Sequence, residues 1–507
     1  KIGTKKRAGV VLPLFFIWSK VGSGIGEILD LKEVIDWCQK VGFEILQLLP
    51  IYDSGFNTSP YNLQSGFALN PIYLSINNFC KKEVLKNLRK KFSQKKRVDF
   101  SIKKEKLKIL WQFFKKNFKN SSSFEEFKEE NKFWIEDFAV YRVLKEKFKE
   151  KSWESWPKNL KNISKSKLEK IKLKYKKEIE FQKWLQWQIF LQMKEIKKIA
   201  ERKGVYLMGD FPWLISRDSA DVWRRKEYFE LEFEVGAPPD NFAKRGQRWG
   251  MPPLNWEKIF KENFEYLKQR LRYFQKFFHL ARIDHVIGLF RTWKINHKEP
   301  LKNRAKNGFF EPKDEKEGEE RGRQILISMI KNSDLLICAE DLGKVPPSCP
   351  KVLNELGIPG ICVQRWMKNW QTNEFLDPKD YPLLSISTLS THDTSNFLDW
   401  FESLENKEKE MFLKFLGEKK ETEKTKILRK ALEKVNLANS IFSINLILDW
   451  LFLFEIFEGR PSKYRINIPG RVSKLNWTLK SPISIEEISN HPKNKEIEKI
   501  LKETKRK

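Results

Sequence analysis

Three acidic residues, Asp284, Glu340 and Asp393, each follow a short apolar run and could do chemistry together. Short apolar runs are typical of buried parallel strands, and a carboxylate at the C-terminal end of a barrel strand lies on the face where barrel enzymes have their active sites. Three carboxylates on one face favour chemistry on a glycosidic bond. One can attack the sugar, one can transfer the proton, and the third can stabilise the oxocarbenium-like transition state.

The neighbours of these carboxylates suggest different roles for them. Arg282 and Asp284 alternate on one strand, so both side chains point to the same side. An arginine lowers the pKa of an adjacent carboxyl, which suits an ionised nucleophile, although a structural ion pair at the barrel rim is the alternative. His285 would be a neighbouring donor. Glu340 ends an apolar strand, and partial burial would raise its pKa and keep it protonated for donation to a leaving oxygen.

Other chemistries have less support in the sequence. His392 and Asp393 could form half of a Ser-His-Asp triad, but there is no G-x-S-x-G elbow and there are only five histidines. The H-E-x-x-H zinc signature is absent and the five cysteines form no C-x-x-C pair, so we expect no metal and no cofactor. Asp210 and Tyr61 also follow strand candidates, and each could support the site or cap a helix.

Eight strand candidates position these residues, and most are separated by helix-like amphipathic stretches. This alternation is typical of βα units with a parallel sheet, and eight units predict an α/β fold, a closed (β/α)8 TIM barrel. The predicted strands are 10–14, 43–49, 205–209, 280–283, 335–339, 360–363, 383–389 and 443–448.

The predicted organisation is a single catalytic barrel over residues 1–507 with mainly helical insertions and no C-terminal β domain. Residues 79–203 are rich in Lys and Glu with apolar residues at three- and four-residue intervals, which predicts a helical insertion. Residues 224–270 are expected to form a loop and helix insertion that covers the active site. Within it, 236–253 is too rich in Pro and Gly for a helix or strand, and is either a semi-rigid loop over a cleft or an ordinary surface loop.

The formal net charge of +31 permits a nucleic-acid or other polyanion-binding function. The lysines, however, alternate with Glu and apolar residues in helical segments, which is typical of solvated helix faces, so we expect no specific nucleic-acid partner. The apolar segment 440–457 contains Asn445, Asp449 and Glu455 and is too polar to cross a bilayer. It predicts a buried strand followed by a helix. The unpaired cysteines indicate reduced thiols and a cytoplasmic location.

Taken together, these segments resemble the amylomaltase family of 4-α-glucanotransferases, in the α-amylase clan of barrel enzymes. The similarity extends from near Gly9 to about Trp477. The motifs that carry it are Ser59-Pro60-Tyr61, 209–212 leading into 218–223, 236–240 leading into 246–250, 282–285, 339–343, 391–393, and 467–470 followed by Asn476-Trp477.

The resemblance implies Asp284 as nucleophile, Glu340 as general acid/base and Asp393 as transition-state stabiliser. It implies a retaining transfer between α-1,4-glucan donors and acceptors such as maltooligosaccharides and glucose, with the first two carboxyl groups about 5–5.5 Å apart. A retaining α-glucan hydrolase with the same trio is the alternative, and a polyanion-binding protein is a distant one. The implied substrate-binding residues are Tyr61, Asp210, Trp249, Arg282, His392 and Asn476.

The sequence departs from the family pattern after His285. The family usually has an aromatic residue and Arg before Gly, whereas this chain has Val286 and Ile287, and the segment 307–312 is also altered. Because the change removes a rigid cation near the site, we expect it to alter the preferred glucan length or the rate.

Overall fold

The computed structural model describes residues 3–239, 244–303 and 305–506. Twelve strands form within these residues and are numbered along the chain. They are β1 Arg7–Leu12, β2 Ile45–Leu48, β3 Tyr206–Phe211, β4 Phe233–Ala237, β5 Gln247–Met251, β6 Leu280–Ile283, β7 Thr292–Asn296, β8 Phe309–Glu311, β9 Leu336–Ala339, β10 Gly360–Val363, β11 Ser385–Thr388 and β12 Phe442–Leu446.

Eight of these strands form one parallel sheet, which curls into a nearly closed barrel. Their order is β10-β11-β12-β1-β2-β3-β6-β9. The two ends of the sheet meet where Ala339 N–H donates to the Pro359 carbonyl at 2.8 Å and Ile361 N–H donates to the Asp341 carboxylate at 2.8 Å. The predicted (β/α)8 fold class is therefore confirmed.

All eight predicted barrel strands are present, and their ends differ by a few residues from the prediction. The first strand stops at Leu12 instead of residue 14, because Pro13 has no N–H and a 3₁₀ turn follows at Leu14–Phe16. The third strand continues past Gly209 through Asp210 to Phe211, where it pairs with β6. Asp210 thus lies inside the strand instead of after it.

The helices fill the connections between barrel strands, with seven of them between β2 and β3. In the described residues they are α1 Leu31–Val41, α2 Lys82–Ser93, α3 Ile102–Asn117, α4 Ser122–Glu130, α5 Ile135–Lys147, α6 Lys158–Lys161, α7 Lys165–Lys174, α8 Lys176–Arg202, α9 Ala220–Arg224, α10 Trp256–Lys261, α11 Glu265–Phe274, α12 Ile287–Phe290, α13 Glu315–Lys331, α14 Ser348–Glu355, α15 Phe397–Ser403, α16 Asn406–Leu416, α17 Lys424–Asn436, α18 Ile447–Phe452, α19 Ile485–Ser489 and α20 Asn494–Glu503.

A second sheet contains the segment around Trp249, and the prediction that 236–253 contains no strand is wrong. Two of its strands come from the connection after β3 and two from the connection after β6. Four antiparallel strands have the order β5-β4-β7-β8. The glycines that argued against a strand fit the pairing: Gly236 lies at a register shift between β4 and β5, and Gly246 and Gly250 have positive φ. Asp240, part of the motif 236–240, lies outside the described residues.

Two buried arginines connect the loops at the C-terminal end of the barrel. Arg270 of α11 donates to the backbone carbonyls of Gly66, after β2, and Trp213, after β3. Arg365, after β10, donates to the Ser390 and Ser395 hydroxyls and to nearby carbonyls in the loop after β11. Because a guanidinium offers five donors in a rigid fork, one side chain can satisfy several carbonyls and fix these loops together.

Candidate active site

The three predicted catalytic carboxylates lie at the same end of the barrel. Asp284 directly follows β6 and Glu340 directly follows the adjacent strand β9, with Ile283 and Ala339 paired in the sheet. Asp393 lies farther along, in the loop after β11 that Arg365 anchors. All three therefore come from C-terminal strand ends or the loops that follow them, where barrel enzymes collect their functional groups.

The Arg282 guanidinium is shared between two carboxylates. Its Nη1 donates to both Asp210 oxygens at 2.8 Å and to Asp284 Oδ1 at 2.9 Å. The Asp210 side chain is 0% exposed, whereas that of Asp284 is 28% exposed. Burial raises the pKa of Asp210, and the guanidinium opposes that shift. Arg282 thus fixes the direction of the Asp284 carboxylate, and part of the Asp284 side chain stays open to solvent.

A hydrogen-bonded chain continues from Asp210 to the loop after β11. The Tyr61 hydroxyl donates to Asp210 Oδ2 at 2.7 Å, and His392 Nε2 lies 3.0 Å from the same hydroxyl. Because the single hydroxyl proton goes to Asp210, the hydroxyl must accept from His392, which assigns the proton to Nε2. Burial lowers the pKa of His392 and raises that of Tyr61 well above its usual value. Both groups are therefore neutral at neutral pH.

Glu340 is held by main-chain donors instead of a cation. His285 N–H donates to its Oε2 at 2.7 Å, and Leu342 N–H donates to its Oε1 at 3.2 Å. Burial raises the pKa of Glu340 to about 8, and the nearby negative charge of Asp284 adds to the shift, while Arg282 and the His285 amide oppose it. The shift favours the protonated form of the carboxyl, which is the direction expected from the sequence for a carboxyl at the end of an apolar strand.

Asp393 is the most open of the three carboxylates, with 46% of its side chain exposed. Asn467 Nδ2 donates to its Oδ1 at 2.7 Å, and Arg465 Nη2 donates to its main-chain carbonyl at 3.1 Å. Its other oxygen, Oδ2, lies 3.5 Å from His392 Nε2. One oxygen is thus fixed by an amide from a different loop, and part of the side chain stays open to solvent.

Trp249 and Asn476, two predicted substrate-binding residues, have different surroundings. The half-buried Trp249 ring packs edge-on against the His285 ring, with centroids 4.7 Å apart. The Asn476 amide is engaged within its own loop, where Nδ2 donates to the Arg471 carbonyl at 2.9 Å and to the Ile468 carbonyl at 3.3 Å. Asn476 therefore shapes the loop that carries Asn467, and its side chain holds no hydrogen bond to the catalytic carboxylates.

Three residues that the sequence did not single out for the site contribute to it. Asn467 holds Asp393, Arg365 anchors the loop that carries it, and the buried Trp477 ring lies 5.5 Å from Tyr61 and 5.8 Å from His392. Asn467 and Trp477 both belong to sequence motifs noted above, so the sequence contained a signal for these two residues. Arg365 carried no local signal, because its partners are 24 to 30 residues away along the chain.

The described residues contain no group of three His, Cys, Asp or Glu side chains that could hold a metal ion. Within the same residues, no helix has the length and apolar character needed to span a membrane.

Comparison with known proteins agrees with this geometry. A family model described as 4-alpha-glucanotransferase matches residues 12–484. A 4-alpha-glucanotransferase of Chlamydia pneumoniae is 37% identical, covering 99% of this chain and 96% of that protein. One from Clostridium butyricum is 30% identical, covering 90% of this chain and 93% of that protein.

Solved structures show the same fold. An amylomaltase from Streptococcus agalactiae in complex with acarbose superposes with a TM-score of 0.87 at 24% identity, covering 99% of this chain and 100% of that one. An amylomaltase from Corynebacterium glutamicum superposes with a TM-score of 0.77 at 19% identity, covering 99% of this chain and 75% of that one.

The raised pKa of Glu340 predicts a pH-dependent stability effect of Glu340→Gln. Between about pH 4.5 and 8 the unfolded chain releases this proton while the folded chain keeps it, so Glu340 makes the wild type progressively less stable as pH rises. Glutamine does not titrate. The melting temperature of the variant minus that of the wild type should therefore increase by about a few degrees from pH 5 to pH 8.

Thermal unfolding followed by circular dichroism at pH 5, 6, 7 and 8 measures this difference. Glu257→Gln, at an exposed position on α10, is the matched control and should show a constant difference. A difference for Glu340→Gln that stays flat or falls with pH would show that the carboxyl is already ionised at neutral pH.

Proposed function

This chain belongs to the 4-alpha-glucanotransferase family, and on that premise we propose how its residues divide the work of glucan transfer. The reaction cuts a glucan chain and joins one part to an acceptor glucan. One observation carries the proposal: two carboxyl groups with different surroundings lie at neighbouring strand ends. Asp284 is bound by an arginine, whereas burial raises the pKa of Glu340 and favours its protonated form.

Asp284 is the nucleophile in this proposal. Arg282 Nη1 donates to its Oδ1, which fixes the direction of the carboxylate, and the exposed part of the side chain is free to approach an anomeric carbon. Attack forms a bond between a carboxylate oxygen and that carbon, and the bond to the leaving glucan oxygen breaks. The product is a covalent glucosyl-enzyme.

Glu340 is the general acid and then the general base. Its raised pKa keeps a proton available for the leaving oxygen in the first step. Once that proton has left, the carboxylate can accept a proton from the 4-hydroxyl of the acceptor, which attacks the glucosyl-enzyme from the same side. Two inversions give net retention, for which the two carboxyl groups should lie about 5–5.5 Å apart.

Asp393 stabilises the positive charge that develops on the sugar in both transition states. Its open carboxylate side faces the cleft, and Asn467 supplies the hydrogen bond that sets its angle. A fixed negative group is more effective than a mobile one, because it needs no reorganisation when charge develops.

Some of the proposed sugar-binding residues can contact the sugar directly, and the others act through a neighbouring residue or loop. Tyr61, His392 and Arg282 lie between the catalytic carboxylates, so their polar atoms can also meet the reacting sugar. Asp210 has no exposed side-chain surface and works through Arg282 and Tyr61. Trp249 would cover the donor chain from the antiparallel sheet, and Asn476 would act through its loop.

Transfer instead of hydrolysis requires that an acceptor sugar outcompetes water at the glucosyl-enzyme. Aromatic rings and a covering segment serve this purpose by binding the acceptor and excluding solvent. Tyr61 and Trp249 supply such rings at the site, and the buried Trp477 ring packs against Tyr61. We propose α-1,4-linked maltooligosaccharides and glucose as the donors and acceptors. The apolar Val286 and Ile287, both buried, leave no cation at that point, so the length preference should differ from that of relatives with an arginine there.

Lysines on the inserted helices pair with carboxylates, as Lys128 does with Glu125 and Glu180, which supports solvated helix faces over a phosphate-binding surface. The five cysteines are all free, and Cys38, Cys338, Cys349 and Cys362 are buried, which supports a reducing, cytoplasmic location.

Loss of the Asn467 hydrogen bond should slow the reaction. Asn467→Ala leaves Asp393 Oδ1 without its 2.7 Å partner, and a hydrogen bond to a charged group contributes about 1.5–3 kcal/mol, so kcat should fall by about 10- to 100-fold. Initial rates at saturating maltotriose measure the change. Asn120→Ala, at an exposed position in the helical insertion, is the control. An unchanged kcat for Asn467→Ala would separate Asn467 from the function of Asp393.

Incubation with maltotriose tests the reaction itself. Transfer predicts glucose together with a ladder of longer oligosaccharides, resolved by chromatography, whereas glucose and maltose without longer products would establish the hydrolase alternative. Asp284→Asn removes the nucleophile and should lower turnover by about 10⁴-fold or more. Turnover retained in this variant would refute the assignment of Asp284.

A further inference from the structure

His285 has a main-chain conformation that few non-glycine residues adopt. Its φ is 46°, in the left-handed region, and this conformation turns two consecutive amides toward the acid/base residue. His285 N–H donates to Glu340 Oε2 at 2.7 Å, and Val286 N–H donates to the Glu340 main-chain carbonyl at 3.0 Å. The strained residue therefore holds both the side chain and the backbone of Glu340.

The histidine ring is confined on two sides. On one side lies Gly288, where a Cβ would be 2.8 Å from His285 Cδ2 and 2.8 Å from the Trp213 ring. On the other side the Trp249 ring packs edge-on at 4.7 Å. Trp213 Nε1 also donates to the His285 carbonyl at 3.3 Å. Burial lowers the pKa of His285 to about 4, so the ring that fills the space between Gly288 and Trp249 is uncharged at neutral pH.

Trp249 lies on a strand that is fixed to the rest of the antiparallel sheet. It lies on β5, the edge strand of the antiparallel sheet. The adjacent Arg248 donates to the carbonyls of His297 and Glu299 and forms an ion pair with Glu234, so the strand is fastened to the rest of that sheet. The Trp249–His285 contact is thus a connection between the antiparallel sheet and the amides that hold Glu340.

We propose that His285 is a positioning residue for Glu340 and that Trp249 holds His285 in place, so that the antiparallel sheet controls the orientation of the acid/base carboxyl. The proposal rests on the assignment of Glu340 as general acid/base. A hydrogen bond from a backbone amide favours the ionised carboxylate, and it therefore offsets part of the burial that favours the acid. The held geometry lets one carboxyl give a proton in the first step and take one in the second.

The pH dependence of kcat/KM for maltotriose tests the proposal. Trp249→Ala should loosen His285 and weaken its hydrogen bond to Glu340. The alkaline limb of the profile should then move to higher pH by about half a unit or more, and kcat should fall several-fold. Trp249→Phe keeps an aromatic partner and should leave the limb near its wild-type position. Phe309→Ala, which removes an aromatic ring from β8 of the same sheet, is the control and should not move the limb.

His285→Gly provides the second variant. Glycine accepts a positive φ and keeps the N–H, so this change removes only the imidazole ring. The alkaline limb should move in the same direction as in Trp249→Ala. Because both changes break one connection, the double variant should move the limb no farther than either single change. Additive shifts, or a Trp249→Ala variant in which KM rises while the limb stays in place, would overturn the proposal.

Glu340→Gln separates this inference from the proposed function. If that variant keeps wild-type turnover and the same alkaline limb, Glu340 is not the acid/base residue and both proposals fail. If it loses activity while the limb in Trp249→Ala and His285→Gly does not move, only the positioning role of His285 fails.

Discussion

The site depends on one buried guanidinium shared by two carboxylates. Arg282, with only 8% of its side chain exposed, binds Asp284 on one side and the fully buried Asp210 on the other. Taking these charges out of water is costly, and the cost is offset only while each charge has its partner. Asp210 in turn accepts a hydrogen bond from the Tyr61 hydroxyl, and that hydroxyl accepts one from His392. The loops after β2 and β11 are therefore held in position around the same cation. The chemistry of the cleft follows from this fixed charge.

The same barrel end gives two carboxylates opposite properties through their immediate surroundings. Asp284 meets a cation and stays partly open to solvent, whereas Glu340 follows an apolar strand and meets only backbone amides. The raised pKa of Glu340 thus comes from burial and from the charge of Asp284 itself. Retaining glycoside chemistry requires two carboxyl groups in different surroundings, since one must attack as an anion while the other donates a proton.

The sequence predicted the barrel well because parallel buried strands are short apolar runs, and the residues after β6 and β9 could be read directly from the ends of those runs. It failed at the antiparallel sheet, because Gly236, Gly246 and Gly250 suggest a loop when their strand partners, β7 and β8, are unknown. The role of Arg365 could not be predicted, since it acts on the loop of Asp393 from 24 to 30 residues away. Asn467 stands in a motif that the sequence showed, but its hydrogen bond to Asp393, 74 residues away, could not be read from that motif. Local patterns predict elements, but long-range hydrogen bonds complete the site.

The central claim is that Asp284 forms a covalent bond to the sugar, and trapping that intermediate tests it most directly. In Glu340→Gln, a maltotriosyl fluoride donor needs no acid for departure of fluoride, while the missing base slows the second step. The maltotriosyl-enzyme should therefore accumulate. Tryptic digestion and mass spectrometry should place the added maltotriosyl mass on the peptide 283–291, which contains Asp284. A label on the peptide that contains Asp393, or fluoride release without any labelled peptide, would contradict the account.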